Sequence, residues 1–313
     1  MAMGKAFYEE ALKLQKEINV NNAKIENSIQ SNLTLLDEEL ADFFIENKFD
    51  FGSSFDGTQN EVTRHNSSKI LAGRELLVSK GKKTGFICVV QSKNVDHLIE
   101  DYEWFKRQNI NYTINQYLTS PPYEEDNLFV SSEHYISRIC ELFDYWVEDT
   151  SCNINISYFD EIVDYILFKK KKLCCYNSCL GKYIGVRHDG TIYACNRDFS
   201  EKYCFGNIFD YNNIRECFDT DGFNLMLKNA ITRRNICRNT CDIYEFCEGG
   251  CNSVALARGS VAECNSYFCQ TLYSVYKHIE NTLVQCLEYE EDTISDKLNP
   301  SLSKRIIKYK DAI

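Results

Sequence analysis

The sequence has no apolar run approaching the ~18 residues that a membrane-spanning helix requires, and the stretch from Met1 to Leu12 lacks a signal-peptide core. Proline is scarce, at three residues in 313, while 44% of the side chains are apolar, which excludes a disordered or low-complexity chain. Positive charge is also short. Lys and Arg number 35 against 46 Asp and Glu, and at a net −11 nothing would offset phosphate repulsion over a broad nucleic-acid surface. The basic cluster Lys169–Lys172 reads as a solvated helix end. These absences predict a cytoplasmic protein that engages neither nucleic acid nor membrane.

Cysteine is sparse in the front half and dense behind it. Of 16 cysteines, Cys88, Cys140 and Cys152 precede residue 174, twelve lie from Cys174 to Cys269, and Cys286 stands alone. A disulfide scaffold is usually short and secreted and spreads its bridges along the chain, so a reducing compartment with thiolate–metal bonds fits this distribution better.

The front half alternates helix and strand patterns. Phe7, Ala11, Leu14 and Ile18 recur at helical spacing and define one apolar face. Ile25–Gln30 reads as a strand, Asp37 as the N-cap of a helix carrying Leu40, Phe43 and Phe44, and Phe49–Phe55 as a strand ended by Asp56-Gly57. A helix over Lys69–Ser79, stopped at Gly81, leads to Gly85–Val90, an apolar run suited to burial on both faces. A helix over Val95–Gln108 and a strand over Tyr112–Tyr117 follow. Such alternation predicts an α/β fold with a parallel sheet and crossover helices. Its first strand would sit at an uncovered edge. Helices near Glu133–Val147 and Phe159–Lys170 bridge to the cysteine-rich part. The chain thus divides into 1–125, bridging helices 126–173, a cysteine-rich domain 174–285 and a tail 286–313. The tail from Glu288 onward reads as an exposed helix.

Within the cysteine-rich part, Cys175-x3-Cys179 leads into a hairpin pattern, Tyr183–Val186, a His188-Asp189-Gly190 turn and Thr191–Cys195. That hairpin would return Cys195 towards Cys179. Further on stands Cys237-x3-Cys241-x5-Cys247-x3-Cys251, then Cys264 and Cys269. Eight thiolates in two fours can satisfy two metal centres. Zinc prefers C-x2-C pairs on hairpins, whereas iron–sulfur clusters accept more varied spacings, so iron–sulfur is the better fit.

Cys179-x10-Gly190-x4-Cys195, the run Cys237 to Cys251, and Cys269 together resemble the seven-cysteine SPASM signature of radical S-adenosylmethionine maturases. The family pattern has two residues where this chain has three between Cys237 and Cys241. Phe205-Gly206-Asn207-Ile208 resembles the segment that follows the hairpin in this family. The resemblance implies two auxiliary [4Fe–4S] clusters, one on Cys175, Cys179, Cys195 and Cys251, the other on Cys237, Cys241, Cys247 and Cys269. Cys174 competes with Cys175. Cys204, Cys217 and Cys264 are left over as small buried residues. The front half resembles the family's incomplete (β/α)6 barrel, with Ile29-Gln30-Ser31-Asn32 similar to its third strand. Ser53-Ser54-Phe55-Asp56-Gly57 and Arg64 are similar to a strand end and arginine that contact S-adenosylmethionine, so the resemblance implies cofactor roles for Ser54, Asp56 and Arg64. It also implies a peptide or protein substrate and a reductant such as a ferredoxin or flavodoxin.

The defining C-x3-C-x2-C loop is not in this sequence: positions 182, 244 and 254 are Lys, Tyr and Val. In this family that loop holds a three-cysteine cluster with one iron open to the cofactor. The expectation is a maturase body without its N-terminal piece, or a shortened paralogue, inactive alone. Sulfatase-maturing relatives place an aspartate directly after the hairpin's second cysteine. Here that residue is Asn196, which takes no proton at neutral pH and points to peptide cross-linking instead. Asp198 is the weak substitute for a catalytic base. The competing readings are a non-catalytic iron–sulfur carrier or degenerate partner of a complete maturase, and a zinc-stabilised module.

Overall fold

The computed structural model describes every residue except 120–124, 178, 198–199, 258–259, 264–266 and 313. The chain forms two compact units, Met1–Tyr117 with Asp149–Tyr158, and Leu118–Glu148 with Phe159–Ile313.

In the first unit, helix α1 (Lys5–Ile18) precedes β1 (Ser28–Gln30), α2 (Glu38–Glu46), β2 (Asp50–Ser54), the single-turn α3 (Asn60–Thr63), α4 (Ser67–Ser79), β3 (Phe86–Val90), α5 (Leu98–Arg107) and β4 (Tyr112–Gln116). The four strands make one parallel sheet in the order β1-β2-β3-β4, with Ser28 opposite Asp50, Ser53 opposite Phe86, and Phe86 opposite Tyr112. Ile156 adds a parallel bridge to Tyr112. Each parallel step needs a crossover, and the helices supply it. The sheet is open rather than a closed barrel, and among the described residues β1 pairs only with β2. The caps follow the sequence. Asp37 Oδ1 accepts from Leu40 N at 2.9 Å, and Gly81, at φ +80°, ends α4.

Two expectations change. The core face of α1 is not Phe7, Leu14 and Ile18, which are exposed, but Tyr8 and Leu12, which pack against Ile29, Leu40, Phe43, Phe44 and Phe49. Tyr8 stands edge-on to Phe44, with centroids 4.8 Å apart, and its hydroxyl accepts from the Met1 amino group, so one side chain serves both the core and the surface. Strand β3 buries Phe86, Cys88 and Val90 but leaves Ile87 and Val89 half-buried. Phe105 of α5 stacks on Tyr112 at 4.2 Å and lies 6.4 Å from Phe86, so α5 covers the Phe86 face.

The second unit holds α6 (Ser132–Glu148), α7 (Ser157–Phe168, whose first two residues belong to the first unit), the hairpin β5 (Gly185–Val186) and β6 (Ile192–Tyr193), α8 (Asp221–Thr240), α9 (Tyr244–Cys247), α10 (Asn252–Ala257), α11 (Tyr267–Leu287), α12 (Glu291–Lys297) and α13 (Pro300–Lys310). A core of Ile192, Tyr203, Phe205, Cys217, Met226, Ala230 and Val261 lies beneath the hairpin. Cys217 is thus a packed apolar residue, while Cys204 Sγ accepts from Gly206 N at 3.3 Å. The tail is not an exposed helix. Ile294, Leu298, Leu302 and Ile306 are buried, and the Asn299 amide donates to Trp146 O at 2.8 Å while its oxygen caps α13 at Leu302 N. Arg305 pairs with Asp160 and Asp164 of α7 at 2.9 and 2.7 Å. Its apolar residues recur at helical spacing, and burying them outweighs the charges between them.

The turn after β2 is fastened to α5. Thr58 donates through its amide and hydroxyl to Asp101 Oδ1 at 2.6 and 2.7 Å. Gly57 sits at φ +63°, where an added Cβ would come 2.3 Å from the same oxygen. Gly57→Ala is expected to cost on the order of 2 kcal/mol or more in denaturant unfolding, combining left-handed strain with a clash against a buried carboxylate. Burial pushes the Asp101 carboxyl up to about 6, against the pull of the Thr58 hydrogen bonds. The folded state therefore holds a proton that the unfolded state releases near 3.9, and stability falls as pH rises from about 4 to about 6 and is level above. Asp101→Asn, which keeps an oxygen for Thr58, should flatten that slope in urea titrations across the interval.

Candidate metal centres and cofactor loop

Strands β5 and β6 pair Gly185 with Tyr193 and Val186 with Ile192. Their turn spans Arg187 to Gly190, closed by Gly190 N donating to Arg187 O at 3.0 Å, with Asp189 Oδ1 accepting from Thr191 N. The Phe205–Ile208 segment fixes this hairpin. Phe205 N donates to Ile192 O at 2.8 Å, Ile192 N to Gly206 O at 2.9 Å, and the Asn207 amide to Asp189 O. Gly185 lies so close to the returning strand that an added Cβ would meet the Cys195 carbonyl carbon and Asn196 N at 2.7 Å. The hairpin thereby folds Cys195 back beside its own beginning, which follows Cys179.

Cys174 and Cys175 stand in a turn of 3-10 helix just upstream. Burial pushes the Cys179 thiol up, and negative charge on Cys251, Cys174 and Cys195 adds to it. Cys174 is raised by burial, then by Cys251 and Cys195, with Arg197 opposing. Cys175 is raised by burial, then by Cys251 and Cys174. Cys174, Cys175, Cys179, Cys195 and Cys251 are therefore electrostatic neighbours. Cys174 is exposed and Cys175 is half-buried.

The second group is built on α8 and α9. Cys237 is buried in the last turn of α8, and Cys241 N closes that turn onto its carbonyl at 2.9 Å. Cys247 ends α9, and Glu248, Gly249 and Gly250 follow at φ +50°, +82° and +74°. Three left-handed residues in succession reverse the chain, and Cys251 opens α10. The reversal sends the two cysteines to different neighbours. The Cys247 thiol is pushed up to about 12 by burial, then by Cys269 and Cys241, whereas Cys251 acts on Cys174, Cys175 and Cys179. Every described cysteine is a free thiol, and among the described residues no three Cys, His, Asp or Glu side chains converge on a single-ion position.

Several residues that hold this loop carried no signal in the sequence. Lys171 is not a solvated lysine. It is largely buried, donates to the Glu245 and Phe246 carbonyls, and pairs with Glu248. Phe246 stacks against Tyr176 at 4.4 Å and near Tyr165 and Tyr276 at 5.0 and 5.2 Å, linking the Cys175 turn to the Cys247 turn. A lysine inside a basic run and an aromatic inside a cysteine motif look ordinary until the tertiary structure joins them. Asp198 and Cys264 lie outside the described residues, and Asn196 accepts a weak bond from Cys195 Sγ at 3.4 Å.

At the carboxyl end of β2, the Ser54 hydroxyl accepts from the Gln30 amide at 3.4 Å. Asp56 is almost wholly buried. Its Oδ1 accepts from Val89 N at 2.9 Å, and its Oδ2 lies 2.9 Å from Arg64 Nε. Asp56 thus faces inward and aims Arg64, whose guanidinium remains part-exposed beside the strand end. Ligands bind at such carboxyl ends in parallel sheets. A forked donor suits a carboxylate.

No family model matches the chain. It is 30% identical over 289 residues to the cysteine-type anaerobic sulfatase-maturating enzyme of Clostridium perfringens, covering 88% of this chain and 77% of that protein. The solved structure of native anSMEcpe with bound AdoMet and Cp18Cys peptide superposes with a TM-score of 0.79 at 28% identity, over 90% of this chain and 81% of that one. Streptococcus suis SuiB bound to S-adenosylmethionine shares the fold, with a TM-score of 0.57 at 15% identity over 79% and 60%. The expectation drawn from Asn196 pointed away from sulfatase maturation, but the relatives in sequence lie on that side. On the coverage and identity of these matches, the chain belongs to the anaerobic sulfatase-maturating enzymes of the radical S-adenosylmethionine family.

Proposed function

We propose that this chain is the body of a maturase that oxidatively modifies a residue of a peptide or protein, with two auxiliary [4Fe–4S] clusters and an S-adenosylmethionine site. The observation that carries the reading is the interleaving of the thiol groups, with Cys251 beside Cys174, Cys175 and Cys179, and Cys247 beside Cys241 and Cys269. One centre is then held by Cys179, Cys195, Cys251 and either Cys175 or Cys174, the other by Cys237, Cys241, Cys247 and Cys269. A tetrahedral zinc with bonds of about 2.3 Å needs sulfurs within about 4 Å of one another. Thiolates that each bind a different iron stand further apart than that.

When bound, the clusters supply one-electron chemistry and S-adenosylmethionine the radical precursor. The chain's own residues position them. Arg64, steered by Asp56, offers a fork to the cofactor's carboxylate, and Ser54 offers a hydroxyl. An external ferredoxin or flavodoxin would be the reductant. The substrate class follows from the relatives. A cysteine in a sulfatase-type sequence is the first candidate, because the Clostridium perfringens enzyme is cysteine-type. Among the described residues no helix is long and apolar enough to cross a membrane. A second reading is an iron–sulfur electron carrier or degenerate partner of a complete maturase.

Anaerobic reconstitution should give about eight irons and eight sulfides per chain; zinc without sulfide would overturn both readings. Cys179→Ser and Cys237→Ser should each remove about half of the iron, as expected for separate four-thiolate centres. Cys174→Ser compared with Cys175→Ser identifies the fourth ligand of the first. Reductive cleavage of S-adenosylmethionine should be undetectable by chromatography with this sequence alone; cleavage by it would refute the requirement for the missing loop. In a complete enzyme Asp198→Asn should keep most of the turnover, and near-total loss would make Asp198 the base.

A further inference from the structure

Arg233 of α8 is fully buried, with 0% of its surface exposed. Its Nε donates to Gly249 O at 2.8 Å and its Nη2 to Gly250 O at 3.3 Å and Asn252 Oδ1 at 2.5 Å, while Nη1 donates to Val261 O. Three of these acceptors lie in or just beyond the Cys247–Cys251 reversal. Arg233 also precedes Cys237 by one helical turn, so α8 presents the guanidinium and that thiol on one face. The opposite end of the loop is held by Lys171 through Glu248 and the Glu245 and Phe246 carbonyls. The acceptors named here are carbonyl and amide oxygens, and the charge of Arg233 also acts on the Cys247 thiol, whose ionised form it favours.

Burying a guanidinium is expensive, and hydrogen bonds to carbonyls return only part of that cost. A metal centre ligated by four thiolates is a buried anion, and a fixed cation beside it stabilises both. We infer that Arg233 is a positioning residue that locks the Glu248-Gly249-Gly250 reversal between the two thiol groups and serves as the resident countercharge of the centres they form. The countercharge role rests on the two-cluster reading. The lock does not, because the bonds that make it are present in the protein without metal.

The test uses Arg233→Lys, which keeps the charge and loses the fork, and Arg233→Gln, which loses both. In cluster-free protein, hydrogen exchange of the amides from 247 to 252 should accelerate at least tenfold in Arg233→Lys while α4 and α5 keep their rates; unchanged exchange overturns the lock. After reconstitution, Arg233→Lys should hold iron less well against a chelator yet keep the wild-type midpoint potentials. Arg233→Gln should shift the midpoint of whatever cluster it retains to more negative values, since a lost cation disfavours the reduced, more anionic state. Wild-type iron retention in Arg233→Lys counts against the lock, and an unshifted Arg233→Gln, or a shift in Arg233→Lys as large as in Arg233→Gln, overturns the countercharge. If Arg233→Gln does not fold, the exchange and chelator measurements on Arg233→Lys still decide the lock, and its potential decides the charge. Wild-type protein that takes up no sulfide sinks the two-cluster reading and the countercharge together, and the exchange data then report on the lock alone.

Discussion

Thiolates repel one another, and a chain with a net charge of −11 can hold eight of them in one unit only if something else collects the charge. Burial and mutual repulsion raise the thiols of Cys174, Cys175, Cys179 and Cys247, so they remain neutral near pH 7. Cations also act here: Arg197 on Cys174 and Arg233 on Cys247, while Lys171 pairs with Glu248. The backbone turns of the second unit serve this arrangement, from the glycine that lets Cys195 fold back to the left-handed residues that separate Cys247 from Cys251.

The first unit solves a different problem with opposite material. Its strand-end loop holds a cation in place. Buried carboxylates do so from below: Asp56 grips Arg64 and the β3 backbone, and Asp101 grips the turn that contains Gly57 and Thr58. Neither acid is placed to meet a ligand. Each converts a flexible segment beyond a rigid strand into a defined surface, as sites at the ends of parallel strands require.

In the front half the order of strands and helices was legible in the sequence because its signals are local: apolar runs between turns, Asp37 at a helix start, Gly81 at a helix end; further on, Asp189-Gly190 marked the hairpin turn. The proposed pairing of the cysteines into two groups comes from family resemblance, since spacing alone leaves the partner of each thiol open. Three readings failed for one reason. The face of α1, the burial of Lys171 and the packing of the tail all depend on what lies opposite, and a sequence window contains no opposite side. Tyr8 replaced Phe7 because it reaches both an aromatic core and an amino group. Lys171 left its basic run because carbonyls and Glu248 awaited it. Arg233 gave no sign at all, because α8 reads as a polar helix and the carbonyls that receive its side chain come from residues 16 or more positions away.

Cys247 and Cys251 are separated by three residues, yet they answer to different sets of thiols. Ordering that short segment for one centre therefore also orders it for the other, and its conformational entropy is lost once rather than twice. Uptake at the two centres would then be cooperative. A preparation with half its full iron content would be largely a mixture of empty and fully occupied molecules, and a bulk average would describe neither.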